Sequence, residues 1–390
     1  MTARLPALRT GFPGPSAGVA RRLARLIRAP SFELFAASSA GLWVAVGFAM
    51  AWFPRRAGIG GFGPTLWVRA DSGYYLAIAH HGYAPDPGNA PAFFPAYPTL
   101  IAGLGHVLGS YVIAGLVISL GCCAIVFELL WRLAASRLGA AGGTRTALYL
   151  ALFPMSLFLH AVYSESLFLA LALGAFALAE RDGWWQASLL AGCATLTRSV
   201  GLAVIAGLAV LAWPSLKRLG WLLLSIAMFA AFPIALSYQV HDPWAFDHAQ
   251  TQWQRHFTWW GPLGGIWFGI RALWRKSASF TEHFYLAVNI EALVFLALFV
   301  ALLPLVWRRV GKAYAVFAAA ALAIPLSVPA SAGDFPLFSF PRFALLAFPC
   351  FIALAAFAEH RPRAHTTIVA VSSVALGVAV VQWATGYWVS

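Results

Sequence analysis

The residues best suited to chemistry begin just after the first long apolar run. The segment WVRADSGYYLAIAHHGY at residues 67–83 contains Asp71, Tyr75 and His81, and AFFPAYP follows at 92–98. Asp71 suits a general base, because a positioned carboxylate can take the proton of an attacking hydroxyl. The same residue also suits a helix N-cap before Ser-Gly-Tyr-Tyr, so two interpretations stay open. Tyr75 and His81 are predicted to contact the substrate from a short interfacial helix.

A second group of polar residues stands where two later apolar runs meet. Tyr163 and Glu165 lie in HAVYSES at residues 160–166, and both are predicted to contact the substrate. A simpler interpretation makes Ser164 a helix cap and Glu165 a favourable acid in the first turn. Arg198 follows in TLTRSVG, where a guanidinium is suited to clamping a phosphate group.

The third group lies in HDPWAFDHAQTQWQRH at residues 241–256. Acids, amides, histidines and aromatic rings together are typical of a carbohydrate or phosphosugar site. The residues predicted to bind substrate here are Asp242, Gln250, Trp253 and Arg255. Further along, SFPRF contains Arg342, which is either a second phosphate contact or an interfacial side chain that snorkels to water.

Metal and nucleotide chemistry find little support in these motifs. Asp242 with His248, and Asp247 with His256, are possible metal ligands, but their spacing matches no established zinc pattern. The sequence contains no Walker loop, no dinucleotide-binding glycine motif after a strand, no nucleophile elbow and no HExxH. We therefore predict neither a metal nor another cofactor.

The elements that must position these residues are membrane helices. The chain has 390 residues, of which 61% are hydrophobic and 10% charged, with a mean hydropathy of +0.77. A net charge of +13 is also found in proteins that bind nucleic acid, but here the basic residues form short clusters between apolar runs of membrane length. The positive-inside rule explains that pattern, so the charge indicates topology and no nucleic-acid partner is predicted.

Apolar runs predict an all-α polytopic integral membrane protein with about eleven membrane helices. The predicted segments are 33–53, 110–132, 144–162, 166–180, 184–197, 200–213, 219–239, 284–307, 313–330, 341–358 and 366–388. Residues 184–213 as one helix would be about 45 Å long against a hydrocarbon core of about 30 Å, and would bury Arg198. We therefore predict a break at residues 197–199, which also increases the excess of Lys and Arg on the cytoplasmic side.

This topology predicts where chemistry takes place. Residues 1–31 form a basic cytoplasmic tail, and residues 32–390 form a single transmembrane domain in the plasma membrane. Two large non-cytoplasmic loops are predicted at about 54–109 and 240–283. Asp71, Glu165, Arg198, Arg342, Asp86 and Asp334 all fall on or near that face, where we expect the site.

Taken together, the motifs resemble those of bacterial relatives of glycosylphosphatidylinositol mannosyltransferase II, the PIG-V-like family. The resemblance rests on the segments at 71–83, 92–98, 163–166, 197–201, 242–253 and 341–343, in the family's order. One departure is Ala70, where the family usually has Trp directly before the aspartate.

The resemblance implies a C-type glycosyltransferase (GT-C) fold with its site on the non-cytoplasmic face. The donor would be a polyprenyl-phosphate sugar, most often mannose, and the acceptor a membrane lipid or a glycan. Transfer would invert the anomeric carbon without a metal. By position, Asp71 matches the family's candidate catalytic acid, and Arg198 and Arg342 match positive positions assigned to the donor phosphate.

Two alternatives to a transferase remain at this stage. A multi-pass transporter or lipid flippase would explain the helix count and the broken helix, although no repeat relates two halves. A non-catalytic subunit of a larger membrane assembly would keep the fold without the activity, so a membrane partner subunit remains possible.

Overall fold

The computed structural model describes residues 29–56, 63–83, 88–274, 280–331 and 335–389, with side chains from residue 285 onward in the helix that begins at Phe280. Most of the basic tail, together with Asp86 and Asp334, lies outside the described residues. Within them, every regular element is helical.

Fifteen α-helices make up the described chain. In chain order they are α1 Pro30–Trp52, α2 Asp71–His81, α3 Ala96–Leu108, α4 Tyr111–Leu152, α5 Glu165–Ala179, α6 Trp184–Thr195, α7 Gly201–Ala212, α8 Leu216–Gln239, α9 Ala245–His248, α10 Pro262–Ala272, α11 Phe280–Arg309, α12 Lys312–Leu326, α13 Phe340–Leu345, α14 Pro349–Phe357 and α15 Pro362–Thr385. Short 3₁₀ turns at 64–67, 90–92, 154–159 and 249–253 connect some of them.

Five of the described helices are long and apolar enough to cross a membrane. They are Pro30–Trp52, Tyr111–Leu152, Leu216–Gln239, Tyr285–Arg309 and Pro362–Thr385. The predicted class, an all-α polytopic membrane protein, is confirmed. The total of eleven membrane helices stays a prediction, because the other apolar segments are shorter helices.

The long helix α4 reverses direction at Gly139. Gly139 has φ +74° inside the helix, a conformation that glycine adopts without a steric penalty. Trp131 Nε1 donates a hydrogen bond to Thr144 Oγ1 at 3.2 Å, whereas a straight helix would hold these residues about 20 Å apart. Two antiparallel segments therefore stand where 110–132 and 144–162 are predicted, although the second ends at Leu152 and a 3₁₀ turn follows at Pro154.

One predicted loop and one predicted membrane segment differ from the structure. The predicted loop 54–109 contains two helices, α2 and α3, of which α3 is a short apolar helix. The predicted segment 341–358 consists of α13 and α14, separated at residues 346–348. Pro349 begins α14, because proline fits the first helical turn and disfavours a helical conformation in the residue before it.

Ion pairs mark one end of the helix bundle. Arg137 pairs with Glu180 at 2.5 Å, Arg218 with Asp182 at 3.1 Å, and Arg309 with Glu359 at 2.6 Å. These pairs join α4, α8 and α11 to the turns after α5 and α14. We call this the basic end of the bundle. Helix α5 runs from there to Glu165, so the side chain of Glu165 lies about 22 Å away, at the opposite end.

Candidate active site

A cavity of about 220 Å³ opens at the end of the bundle opposite the basic end. Its wall combines the start of α2, the tip between α6 and α7, the loop after α8, the end of α12 and helix α13. The polar side chains that line it are Asp71, Tyr75, Thr197, Arg198, Ser199, Asp247, Gln250, Arg255 and Arg342. Residues far apart in the sequence therefore converge on one site.

Asp71 lies in the first turn of α2 and does not act as its N-cap. The N-cap is Ala70, at φ +43°, and no side chain caps the helix. The preceding backbone is held by two hydrogen bonds: Tyr163 Oη donates to the Arg69 carbonyl at 2.9 Å and the Val162 amide donates to the Trp67 carbonyl at 3.0 Å. The capping interpretation of Asp71 is thus wrong, and its carboxylate is directed at the cavity.

Arg342 is the partner of Asp71. Its Nη1 lies 2.7 Å from Asp71 Oδ2 and its Nε lies 3.3 Å from Glu165 Oε1. The side chain is only 11% exposed, and its guanidinium lies over the rings of Phe158 and Tyr163 at 5.3 and 5.4 Å. Arg342 is therefore not a snorkelling side chain, because its charge is buried between two carboxylates.

Glu165 links Arg342 to Arg198. Its carboxylate is fully buried, and Oε1 lies 2.5 Å from Arg198 Nη1. Ser164 occupies the N-cap position of α5, but its hydroxyl makes no capping bond. Instead it contacts Tyr75 Oη at 2.8 Å and accepts from Arg198 at 3.3 Å. Glu165 does lie in the first turn of α5, as predicted, yet it supports the cavity from below and does not line it.

The break that presents Arg198 lies where it was predicted. Helix α6 ends at Thr195 and α7 begins at Gly201. A Cβ atom at Gly201 would lie 2.4 Å from the Cα of Thr195, so the backbones approach too closely for any other residue. This tight tip places Thr197, Arg198 and Ser199 in the cavity wall.

Arg255 differs from the other two arginines of the cavity. It donates to the Phe338 carbonyl at 2.6 Å and lies over the rings of Phe338 and Phe343 at 5.3 and 5.4 Å. No carboxylate of the described residues pairs with it. Burial, and then the positive charge of Arg342, lower the pKa of Arg255 to about 10. A half-buried guanidinium in this position is suited to an incoming anion.

Phe343 is a residue of the site that sequence reasoning missed. Its ring lies 5.3 Å from the guanidinium of Arg198, 5.4 Å from that of Arg255 and 5.9 Å from that of Arg342. A negative ring face stabilises nearby cations and also keeps water away from them. Its position directly after Arg342 was the only available signal. Phe338, which also lines the cavity, had no signal at all.

The other predicted site residues differ in whether they line the cavity. Tyr75, Gln250 and Trp253 line the cavity, whereas Tyr163 lies behind Arg342. Burial raises the pKa of Tyr75 to about 12, and its hydroxyl lies 2.8 Å from Ser164 Oγ.

His81 and Asp242 do not line the cavity. His81 is exposed at the end of α2, and its ring contacts His80. Asp242 Oδ2 contacts His248 Nδ1 at 2.7 Å on the surface, and this hydrogen bond lowers the pKa of Asp242. Neither side chain reaches the cavity. The structure therefore keeps both apart from the arginine cluster, which consists of Arg198, Arg255 and Arg342.

The arrangement of charges suits transfer of a group from a phosphate. One partly exposed carboxylate, Asp71, stands beside three guanidiniums, and the buried Glu165 offsets part of their charge. Aromatic rings from Phe93, Phe246 and Trp253 complete the wall. Such a cavity offers a base, cationic hydrogen-bond donors and stacking surfaces for a sugar ring.

The fold and the cavity together define a polytopic helical membrane protein with an arginine-rich site at one end of its bundle. Residues 65–213 match the family described as mannosyltransferase (PIG-V). The resemblance found in the motifs is thereby confirmed. The matched segment contains Asp71, Glu165 and Arg198, whereas Arg255 and Arg342 lie beyond it.

Two similar proteins carry the name GPI alpha-1,6-mannosyltransferase 2. The protein from Cricetulus griseus is 33% identical over 150 residues, which are 35% of this chain and 30% of that protein. The protein from Homo sapiens is 32% identical over 151 residues, or 35% of this chain and 29% of that protein. The chain thus matches less than a third of the length of either relative.

Proposed function

We propose that this protein is a membrane mannosyltransferase that moves mannose from a polyprenyl-phosphate donor to a lipid or glycan acceptor. The observation that carries the proposal is the convergence of Asp71, Arg198, Arg255 and Arg342 on one cavity. The family match supports the sugar, because the relatives are named as mannosyltransferases. The GT-C fold implied by the motifs is part of the same proposal.

Asp71 is the general base in this proposal. Arg342 Nη1, 2.7 Å from Oδ2, holds this carboxylate at the cavity. The acceptor hydroxyl attacks the anomeric carbon, and its proton passes to Asp71. The new glycosidic bond forms as the bond between the anomeric carbon and the phosphate oxygen breaks, which inverts the anomeric configuration.

The arginines receive the leaving phosphate. Negative charge on the polyprenyl phosphate increases as the bond to the sugar breaks, and fixed guanidiniums stabilise charge that develops in the transition state. Arg255 has no carboxylate partner among the described residues, while Arg198 and Arg342 are held by Glu165. No metal ion is needed in this scheme, since the cavity already supplies three cationic groups.

We place the cavity on the non-cytoplasmic face of the plasma membrane. The opposite end of the bundle holds Arg137, Arg218 and Arg309, and basic residues are concentrated on the cytoplasmic side of membrane proteins. The N-terminal tail would then be cytoplasmic. A lipid-linked donor would approach from the membrane beside the cavity.

The proposal is tested with purified protein in liposomes, radiolabelled polyprenyl-phosphate-mannose and a total lipid or glycan extract. We expect a labelled product with wild-type protein and none with Asp71→Asn. Movement of intact donor across the liposome without transfer would overturn the proposal in favour of a flippase. Transfer that requires a second membrane protein, and survives Asp71→Asn, would show that this chain is a non-catalytic subunit.

A further inference from the structure

Helix α10 carries large apolar side chains on the face that no other part of the described chain covers. Leu263 is 64% exposed, Trp267 52% and Trp274, just past the helix end, 82%. With the exposed Ile270 they stand at intervals of four, three and four residues, which places them on one side of a helix. Trp259, before the helix, is also highly exposed.

The opposite face of α10 has glycines at positions where neighbouring residues leave no room for a side chain. A Cβ at Gly265 would lie 2.4 Å from the Leu326 carbonyl, and a Cβ at Gly269 would lie 2.7 Å from the Leu337 side chain. Glycines four residues apart are typical of helices that pack closely inside a membrane. Helix α10 is therefore firmly seated on the bundle, with its bulky residues directed away from it.

The neighbours of α10 lie at the depth of the hydrocarbon layer. Gly269 faces the side chain of Leu293, and α11 rises about 24 Å from Leu293 to Arg309 at the basic end. Leu326 lies about 21 Å along α12 from Lys312. The hydrocarbon core is about 30 Å thick. If the basic residues lie at its cytoplasmic boundary, both distances are shorter than this thickness, so α10 lies within the core near the opposite boundary.

The exposed face of α10 continues a lipid-facing surface. Ile290 and Val294 flank Leu293 on the candidate span Tyr285–Arg309, and both are exposed. Helix α10 is about 16 Å long and cannot cross the bilayer by itself. A short helix with tryptophans on its outer face suits the boundary between headgroups and acyl chains.

We propose that helix α10 is a membrane-interface helix whose outer face, formed by Leu263, Trp267, Ile270 and Trp274, contacts the lipid bilayer. The backbone at Leu326 lies between this helix and the cavity, which Ile324, Pro325 and Val328 line. The helix therefore fixes that cavity wall at the membrane boundary. This inference does not depend on the transferase activity, since it rests on packing and exposure alone.

Site-directed spin labelling tests the contact. The four native cysteines are replaced by alanine, single cysteines are introduced at Leu263 and Ile270, and the labelled proteins are placed in lipid nanodiscs. Power saturation with oxygen and with a water-soluble nickel chelate then measures immersion depth. Val374, exposed on the candidate span Pro362–Thr385, serves as the lipid control, and the exposed Gln252 serves as the aqueous control.

We expect labels at 263 and 270 to meet oxygen more than the chelate, as at 374, but at a shallower depth. Accessibility to the chelate equal to that at 252 would overturn the proposal, because the helix would then face water. Dipolar broadening between labels on two molecules would overturn it as well, since a second copy of the chain would cover the face.

Discussion

The guanidinium of Arg342 lies 2.7 Å from the carboxylate of Asp71, although the two residues come from opposite parts of the chain. Glu165 holds the same guanidinium from the other side, and it also holds Arg198. The buried Glu165 therefore fixes the distance between Arg198 and the guanidinium that pairs with Asp71. Moving any one of these four side chains would therefore change the ion-pair distances of the others.

Replacing Asp71 by Asn should abolish the base without removing the fold. We expect turnover with polyprenyl-phosphate-mannose to fall by about 10² to 10⁴-fold, the usual contribution of a general base. The measurement is initial rate in detergent or nanodiscs, with the melting temperature as a check on folding. Asp247→Asn is the matched control, because that exposed carboxylate also lines the cavity but pairs with no arginine of the described chain. Near wild-type turnover in the Asp71 variant would exclude the base role.

Replacing Arg342 by Gln should affect both stability and transfer. Removing one partner of a buried ion pair leaves the other charge uncompensated and costs about 3–5 kcal/mol. We expect a lower melting temperature and little transfer. Arg342→Lys should restore part of the stability but less of the turnover, because an ammonium cannot present the fork that contacts Asp71 and Glu165 together. Equal melting temperatures for wild type and the Gln variant would contradict this account.

Replacing Arg255 by Gln should weaken donor binding and cost less stability than Arg342→Gln. A hydrogen bond to a charged group contributes about 1.5–3 kcal/mol, so the donor KM should rise by about 10- to 100-fold. The loss of stability should be the smaller one because the variant loses the hydrogen bond to the Phe338 carbonyl and two ring contacts, but no described carboxylate loses a partner. Arg271→Gln, an exposed arginine on α10, is the control and should leave the donor KM unchanged.

The pH dependence of donor affinity follows from the lowered pKa of Arg255, about 10. The charged form binds phosphate, so this contribution is complete well below pH 10 and is lost as the pH rises through that value. We expect the wild-type dissociation constant for the donor to increase between pH 9 and 11, and the Arg255→Gln protein to show a flatter profile. If the two proteins lost donor affinity in parallel as the pH rises, a group other than Arg255 would be responsible for the pH dependence.

Substitutions at two residues outside the cavity should have little effect on stability or on transfer. His81→Ala and Asp242→Asn are expected to change stability by less than about 0.5 kcal/mol and to leave the transfer rate close to wild type. The reason is that neither side chain reaches the arginine cluster. A large loss of transfer in either variant would show that the substrate extends beyond the cavity to the surface.

Adding one methyl group at Gly201 should disturb the tip that presents Arg198. The new Cβ would meet the backbone of Thr195 at 2.4 Å, and overpacking of this kind costs about 1–3 kcal/mol. We expect Gly201→Ala to lower the melting temperature and the transfer rate together. Gly220→Ala is the control, since open space surrounds that helical position and alanine should be neutral or slightly stabilising there. An unchanged Gly201→Ala protein would mean that the tip relaxes freely.

The break at Arg198 was predictable from the sequence because a hydrocarbon layer has a fixed thickness. An apolar run too long for it, with an arginine at its middle, must end at that arginine or bury the charge. The helix at 71–81 was also predictable, since Leu76, Ile78 and Ala79 follow Asp71 among Tyr and His side chains suited to the membrane interface.

Helix order within the bundle was not readable from local pattern. The turn between 110–132 and 144–162 was predicted, but the division of α13 from α14 depends on single proline residues, which are common in membrane helices. Their effect is decided by which neighbours the backbone meets, and hydropathy carries no such information.

The sequence by itself determined the class of protein, the resemblance to the PIG-V-like family and the residue types available for chemistry, because solvent preference and motif order are local properties of the chain. Only the tertiary structure decided what Asp71, Glu165 and Arg342 contact, because these contacts are made across the bundle by residues far apart in the sequence. It also separated Asp242 and His81 from the cavity and added Phe343 to it. Charge pairing at 2.7 Å is a property of three-dimensional distance, and no spacing along the chain encodes it.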